Sequence, residues 1–376
     1  RQLMRILWLT ENYPPRRGGM AQACDRIVDN LRKAGLPVDL VFFSCATAET
    51  KVIERQNGRE IVAAMGESHA HDLNCLYNLL TSPANRQNYT HIVAFGGNLP
   101  VIALPIFKAW LGCRAITLFR GNDFDLGVFL PQRRLALYDA IAASDAVCVL
   151  SDEMRQRVAS LRPQANVRLI ANGIDLDMWQ PQTFDIETAR KWRAENADDA
   201  QPVVGLIGQF KNKKGGLFFL QNVIAAGLEN AMRFLIVGDI EPALQNWLKE
   251  KQQTLKVNIM PFTDRFDLIC RYLACDFIAL PSHYDGMPNV LLEAGALGLP
   301  VIAARTGGIS EVLPDDMRPL TFHPGDADGC RQALLNACAM PVDRRQAAGK
   351  ALQAKITNNF TVARETSAYL QLINSI

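Results

Sequence analysis

The sequence predicts an α/β protein of two doubly wound parallel sheets. Three observations predict it: short, almost uniformly apolar runs recur along the chain, helical patterns alternate with them, and 376 residues exceed what one hydrophobic core comfortably holds. Runs of this kind suit strands covered on both faces, because a strand with one wet face would alternate apolar and polar side chains. The first series is Met4–Leu9, Val38–Phe43, His91–Phe95, Ala115–Phe119, Ala146–Leu150 and Val167–Ala171. The second is Val203–Ile207, Arg233–Val237, Lys256–Met260, Phe277–Leu280 and Val301–Ala304. Between the first two runs, Met20–Ala34 sets Met20, Cys24, Ile27, Val28 and Leu31 on one helical stripe and stops at Gly35, a residue suited to a helix C-terminus. The alternation predicts domains at residues 1–178 and 201–358. Residues 179–200 contain Pro181, a polar run from Ala194 to Ala200 and no strand pattern, and predict a linker carrying a surface helix. Arg344–Ile376 reads as helical with a break at Phe360-Thr361, so 359–376 is expected to be a separate last helix. Such sheets bind ligands at the carboxyl ends of their strands, and a cleft between the two domains is the expected site.

Composition narrows the function classes. With 49% hydrophobic and 21% charged residues the chain reads as an ordinary globular protein, not a disordered or fibrous one. Residues 1–178 carry 20 basic and 17 acidic side chains and the remainder 20 and 21, so neither half is a polycation and no nucleic-acid partner is expected. Nine cysteines without a CxxC pair suggest reduced, mostly buried thiols rather than a disulfide framework or a zinc site. No apolar run approaches the roughly 20 residues of a membrane span. The stretch Leu3–Leu9 is short and runs into Thr10-Glu11-Asn12, so no secretory leader is expected. A soluble, cytoplasmic protein follows.

The richest motif follows the run Phe277–Leu280 and reads Pro281-Ser-His-Tyr-Asp-Gly-Met-Pro-Asn-Val-Leu-Leu-Glu293. Gly286 permits a tight turn and Pro288 suits the first turn of a helix running through Glu293. The amides around Asn289 and Val290 then face an anion at a helix N-terminus. Asp285 before the helix and Glu293 inside it offer carboxylates to hydroxylated groups, so a diphosphate flanked by two hydroxyl-rich rings fits. The alternative is that Asp285 only caps the helix. A second motif, Gly208-Gln-Phe-Lys-Asn-Lys-Lys-Gly215, follows the run Val203–Ile207 and gathers three lysines at a strand end. They suit a leaving diphosphate; the alternative is a solvated basic loop. Lys214, read as an exposed loop charge, is expected to matter for turnover and little for stability.

The first domain offers weaker signals. Pro14-Pro-Arg-Arg-Gly-Gly-Met20 places Gly18 and Gly19 at a strand-to-helix turn, where backbone amides can approach an anion, or where two glycines merely punctuate the chain. Arg120-Gly-Asn-Asp-Phe-Asp125 follows another strand and has a composition that turns favour in any case. Neither GxGxxG, nor a Walker A loop, nor Gly-x-Ser-x-Gly is present, and His69-x-His71 lacks a third ligand nearby, so no metal site is expected.

Together these segments resemble the retaining GT-B glycosyltransferases called family 4, or glycosyl transferases group 1. Asp285 and Glu293 separated by seven residues, then Gly298-Leu-Pro-Val-Ile-Ala303 and Gly307-Gly-Ile-Ser-Glu311, carry most of the likeness. Ile170-Ala-Asn-Gly-Ile-Asp175, Ile236-Val-Gly-Asp239, the lysine loop and Gly18-Gly19 add to it. The resemblance implies two Rossmann-like domains facing across a cleft, acceptor on the first and nucleotide-sugar on the second, with residues 359–376 crossing back to the first. It implies ribose binding by Glu293, sugar contact by Asp285, and sugar and phosphate contacts from Gly286, Met287, Pro288, Asn289 and Val290. Lys214, with Gly208, Gln209 and Lys211, would meet the diphosphate. Three departures stand out: Asp285 replaces the family's usual Glu, Gln209 its usual Arg (leaving Lys211 or Lys213 to substitute), and Arg120-Gly121 a common His-Gly turn. Arg120 cannot serve as a base, which leaves it charge stabilisation or positioning and makes Asp123 the candidate for acceptor orientation.

The function expected from the resemblance is transfer of a sugar from a UDP- or GDP-linked donor to a glycan or lipid-linked acceptor hydroxyl in glycan or glycoconjugate biosynthesis. It would proceed with retention, without a metal, and with the nucleotide-sugar as cosubstrate rather than a cofactor. A catalytically degenerate nucleotide-sugar binder, or an epimerase of similar fold, is the alternative. Phe129, Leu130, Arg133 and Arg134 within Val128–Leu137 suit contact with the inner membrane surface as well as an ordinary amphipathic core helix.

Overall fold

Every apolar run becomes a strand in the computed structural model, which describes residues 4–198 and 201–376. Contacts divide the chain into unit 1, which ends at Ala171 and takes in Ala363–Ile376, and unit 2, Asn172–Val362.

Unit 1 holds an eight-stranded sheet: β1 (Ile6–Thr10), β2 (Val38–Ser44), β3 (Lys51–Arg55), β4 (Gly58–Ala64), β5 (His91–Phe95), β6 (Arg114–Leu118), β7 (Ala146–Val149) and β8 (Val167–Leu169), in the order β3-β4-β2-β1-β5-β6-β7-β8. All pairs are parallel except β3 with β4. The apolar-run pattern does not predict that hairpin, because β3 is a wet edge strand without an apolar run. Its signal was the Asn57-Gly58 turn, where Asn57 takes a positive φ of 56°. The helices are α1 (Gly19–Lys33), α2 (His69–Thr81), α3 (Leu99–Leu111), α4 (Asn122–Asp125), α5 (Pro131–Ala143) and α6 (Asp152–Leu161). Strand side chains alternate between two cores: Leu7 and Leu9 pack with α3 and α5, while Ile6 and Trp8 pack with α1.

Unit 2 holds β9 (Val203–Ile207), β10 (Arg233–Val237), β11 (Val257–Met260), β12 (Phe277–Leu280), β13 (Val301–Ala304) and the two-residue β14 (Thr321–Phe322), in the order β11-β10-β9-β12-β13-β14, all parallel. Its helices are α7 (Thr183–Asn196), α8 (Gly216–Ala225), α9 (Pro242–Lys251), α10 (Arg265–Leu273), α11 (Asn289–Ala296), α12 (Gly307–Val312), α13 (Ala327–Ala339) and α14 (Val342–Asn359). The order reverses direction between β9 and β12, which brings the turns following those two strands together at one edge. The chain ends in α15 (Val362–Ser375), whose Tyr369, Leu372 and Ile373 join the Ile6–Trp8 core of unit 1. Arg26 clamps Glu365 of this helix through two bonds of 2.8 and 3.0 Å.

Two boundaries differ from the sequence reading. Residues 172–178 belong to unit 2, since Ile174 pairs with Thr361 and its amide donates to Phe360. Residues 179–196 are built into that unit: Ala189 and Trp192 of α7 are buried, and Arg193 donates to the Ala274 carbonyl at 2.9 Å and to Asp276 at 2.9 Å. A helix held by a buried tryptophan and an ion pair is a domain element rather than a linker. Residues 199 and 200 of the expected linker lie outside the described residues.

Candidate functional site

In unit 2 the two motifs read from the sequence meet. The loop after β9 runs beside the one after β10, with Gly208 N–H donating to the Val237 carbonyl and Phe210 N–H to that of Asp239. It then makes a 3-10 turn at Asn212–Lys214 and closes at Gly215 with φ of +65°. A Cβ there would stand 2.0 Å from the Pro281 carbonyl oxygen, so only glycine lets the lysine loop lie against the turn after β12. The amide of His283 donates to the Lys213 carbonyl at 2.8 Å and ties the loops once more. On the far side, Gly307 lets the start of α12 touch the same turn: a Cβ would lie 1.9 Å from the Asp285 carbonyl oxygen.

This packing sets Lys214 Nζ directly on Asp285 Oδ2, with Lys213 Nζ 3.7 Å from Oδ1. The Gly286 amide donates to Oδ1 at 3.1 Å and the Ser282 hydroxyl to Oδ2 at 3.4 Å. Burial by itself pushes the Asp285 carboxyl up, but the two lysines, the Lys214 hydrogen bond and the Gly286 amide outweigh it and hold the group below the usual carboxylate range. Of the two lysines that could stand in for an arginine at Gln209, Lys213 lies beside Asp285 and Lys211 is exposed. Lys214 is not the exposed loop charge expected from sequence: its side chain is 26% exposed and its partner only 9%.

The helix behind this pair starts at Asn289 after Pro288, with no side-chain cap. Gly208 lies beside Val290 of its first turn. Glu293 follows one turn inside and accepts a hydrogen bond from the Tyr272 hydroxyl of α10. Burial and then the Glu293 carboxylate raise Tyr272 well above its ordinary value, so it stays a donor. Trp179 packs edge-on against the same ring at 5.6 Å. Met287 is buried, and its carbonyl accepts from Asn172 Nδ2 at 2.8 Å.

In unit 1, Gly18 precedes α1 with φ of +116° and Gly19 is its first residue; no side chain caps this start. The Arg120–Asp125 segment turns inward. Asp123 accepts from the Arg120 amide at 3.0 Å and the Gly121 amide at 2.7 Å, and its carboxylate lies beside Gly96. Its burial, only partly offset by these amides, raises its carboxyl above the ordinary value. The Arg120 guanidinium, on a residue 8% exposed, stacks on Phe95 at 5.3 Å and donates to the Tyr369 hydroxyl at 3.2 Å. Of the two roles left open for Arg120, this anchoring fits positioning. Among the described residues no group of three His, Cys, Asp or Glu side chains is placed to hold a metal.

Two family models match this chain: residues 201–339 match glycosyl transferases group 1, and residues 17–178 match glycosyltransferase family 4. The chain belongs to the group 1 glycosyltransferases. It is 24% identical to an uncharacterized glycosyltransferase of Methanocaldococcus jannaschii, over 86% of either chain. It is 25% identical to the UDP-Gal:alpha-D-GlcNAc-diphosphoundecaprenol alpha-1,3-galactosyltransferase of Escherichia coli, over 63% of this chain and 62% of that one. Among solved structures, HepE from Anabaena in complex with UDP superposes with a TM-score of 0.78 at 18% identity, over 99% of this chain and all of that one. The fold of this glycosyltransferase is therefore GT-B, two Rossmann-like parallel-sheet domains with the terminal helix packed on the first.

Three residues of this glycosyltransferase escaped the sequence reading. Tyr272 sits on an amphipathic helix stripe and reads as core. Asn172 lies in the quoted Ile170–Asp175 segment, but nothing there says that its amide reaches Met287. Glu11, in the turn after β1, accepts from the amides of Asn98 and Leu99 at 3.0 and 2.9 Å and caps α3 from 87 residues away.

Proposed function

We propose that this glycosyltransferase moves a sugar from a UDP- or GDP-linked donor to an acceptor hydroxyl with retention of configuration, in the assembly of a glycan or glycoconjugate. The observation that carries the reading is the Lys214–Asp285–Lys213 cluster in the turn that leads into α11, with Glu293 one turn inside that helix. Two ammonium groups and a helix N-terminus supply countercharge for a diphosphate, so the reading assigns that charge to protein groups and not to a metal. Glu293, oriented by Tyr272, accepts from ribose hydroxyls, and Asp285 accepts from a hydroxyl of the transferred sugar. In the transfer the bond from the anomeric carbon to the β-phosphate oxygen breaks and one from the acceptor oxygen forms on the same face. The acceptor proton passes to the departing phosphate. Asp123 and Arg120 shape the turn of unit 1 on the acceptor side. The UDP named in the HepE complex and the UDP-galactose named for the Escherichia coli relative support a uridine donor. A cytoplasmic setting is consistent with nine free cysteines.

The test is incubation with UDP- and GDP-linked hexoses and a panel of soluble and lipid-linked acceptors, with NMR assignment of the product anomer. Product with the donor's anomeric configuration supports the reading. An inverted product, or nucleotide binding without release from any donor, overturns it.

A further inference from the structure

The outer surface of unit 1 carries an apolar field that the transfer chemistry does not use. Helices α3 and α5 pack side by side over the same sheet face, joined by Lys108 of α3, which donates to the Ala143 carbonyl at 2.6 Å and pairs with Asp145 at 2.9 Å. A core helix should turn its large apolar residues inward. These two bury Leu104, Phe107, Leu137 and Ile141, yet also turn Ile106 and Trp110 outward from α3 and Leu135 outward from α5. The turn before α5 adds Phe129, 82% exposed, and Leu130. Among the described residues no other stretch of similar length exposes as many large apolar side chains.

The charges around this field have one sign where it is most exposed. Arg133 and Arg134 occupy the first turn of α5, which has no acid, beside Phe129, Leu130 and Leu135. The first turn of α3 carries no acid of its own, and the carboxylate that meets its start, Glu11, is engaged by the Asn98 and Leu99 amides. Asp125, just before the turn, is paired with Arg157 at 3.2 Å, and the one acid of α5, Asp139, stands in its third turn. Trp110 and Tyr138, both partly exposed, are the amphipathic aromatics that suit a headgroup region. No helix of the described residues is long and apolar enough to cross a membrane.

We propose that the α3–α5 face of unit 1, led by Phe129, Leu130 and Leu135 and flanked by Arg133 and Arg134, docks on the surface of an anionic phospholipid bilayer. The apolar tips enter the boundary between headgroups and acyl chains, and the arginines meet lipid phosphates. A second copy of the chain is a poorer occupant, because each copy presents the same cationic flank and no compensating acidic patch to the other. The proposal does not depend on the transfer reading, since this face uses no residue of the nucleotide site proposed in unit 2.

The experiment is co-sedimentation of the full chain with vesicles of phosphatidylcholine alone and of phosphatidylcholine with phosphatidylglycerol, at low and high salt. Wild type is expected to bind the anionic vesicles and to be released by salt. Arg133→Glu with Arg134→Glu should reduce partitioning by roughly 30-fold or more, from about fivefold per arginine near an anionic surface. Phe129→Ser with Leu135→Ser should reduce it even at low salt. Far-UV circular dichroism and a cooperative thermal melt of each variant establish that it is folded. Absence of wild-type binding to anionic vesicles, equal binding by the folded variants, or a vesicle-free dimer that Phe129→Ser dissociates would each overturn the proposal.

Discussion

Asp123 in unit 1 and Asp285 in unit 2 occupy comparable places, each buried in the turn after a central strand, yet their acidities move in opposite directions. Asp123 is held by amides of its own turn, and burial wins, leaving its carboxyl raised. Asp285 is met by two lysines from a loop 71 residues earlier, and the cations win, leaving its carboxyl lowered. The first arrangement builds a turn and is complete in itself. The second holds cations and a carboxylate at a shared point where an incoming diphosphate and sugar hydroxyl can take up the same contacts, which is what a binding site requires.

The change expected to have the largest effect removes the cation that distinguishes the two sites. Lys214→Met should lower sugar transfer by about 10²-fold or more, the usual consequence of losing one preorganised countercharge, as read from kcat. It also leaves a nearly buried carboxylate with the more distant Lys213 as its remaining cation, so stability should fall by about 3 kcal/mol in urea unfolding. Adding Asp285→Asn should recover most of that stability and none of the activity. If Lys214→Met leaves stability unchanged, the pair is a surface contact and the contrast with Asp123 collapses.

Next in size is Tyr272→Phe, which leaves the fold intact but removes the hydroxyl that donates to Glu293. Nucleotide affinity should weaken about tenfold, in line with a hydrogen bond to a charged group, by calorimetric titration with UDP. Unchanged affinity would remove Glu293 and Tyr272 from the nucleotide site. Asn172→Ala should cost about 1–2 kcal/mol because the Met287 carbonyl is left buried without a partner. In addition it should raise KM for the donor, a change that a purely structural residue far from the 281–288 turn would not produce.

The smallest effect contrasts the two carboxylates directly. Asp285 has a folded value below its unfolded one of about 3.9, so its stabilisation is present above that pH and is lost as pH falls through the folded value. Asp123 has a folded value above the unfolded one, so its ionisation costs stability as pH rises from about 3.9 through the folded value. Urea unfolding from about pH 3 to about pH 7 should therefore show Asp285→Asn removing part of the acid loss and Asp123→Asn removing part of the loss on the neutral side. The same sign for both variants would contradict the opposed environments.

The sequence made unit 2 more legible than unit 1 for the same reason. A site assembled from two glycine-bounded loops at a switch point leaves fixed spacings, and Gly208 to Gly215 and Asp285 to Glu293 could be read from them. What it hid was the third dimension: that Lys214 and Asp285 touch, and that Tyr272 and Asn172 arrive from α10 and from the start of the unit to hold Glu293 and Met287. In unit 1 the central strands were plain as apolar runs, but the β3–β4 edge was not, because a wet edge strand lacks that signal. Arg120 and Asp123 looked chemically poised because charged turn residues look alike in sequence whether they face a ligand or their own backbone.

Titration of UDP into wild type, Lys214→Met and Asp285→Asn tests the central claim that the lysine–aspartate cluster is a diphosphate site. If it is, Lys214→Met binds UDP about tenfold more weakly or worse, while Asp285→Asn, which releases both lysines from their internal partner, binds at least as tightly as wild type and transfers poorly. Equal affinity in all three proteins, or the same loss in both variants, would contradict the assignment.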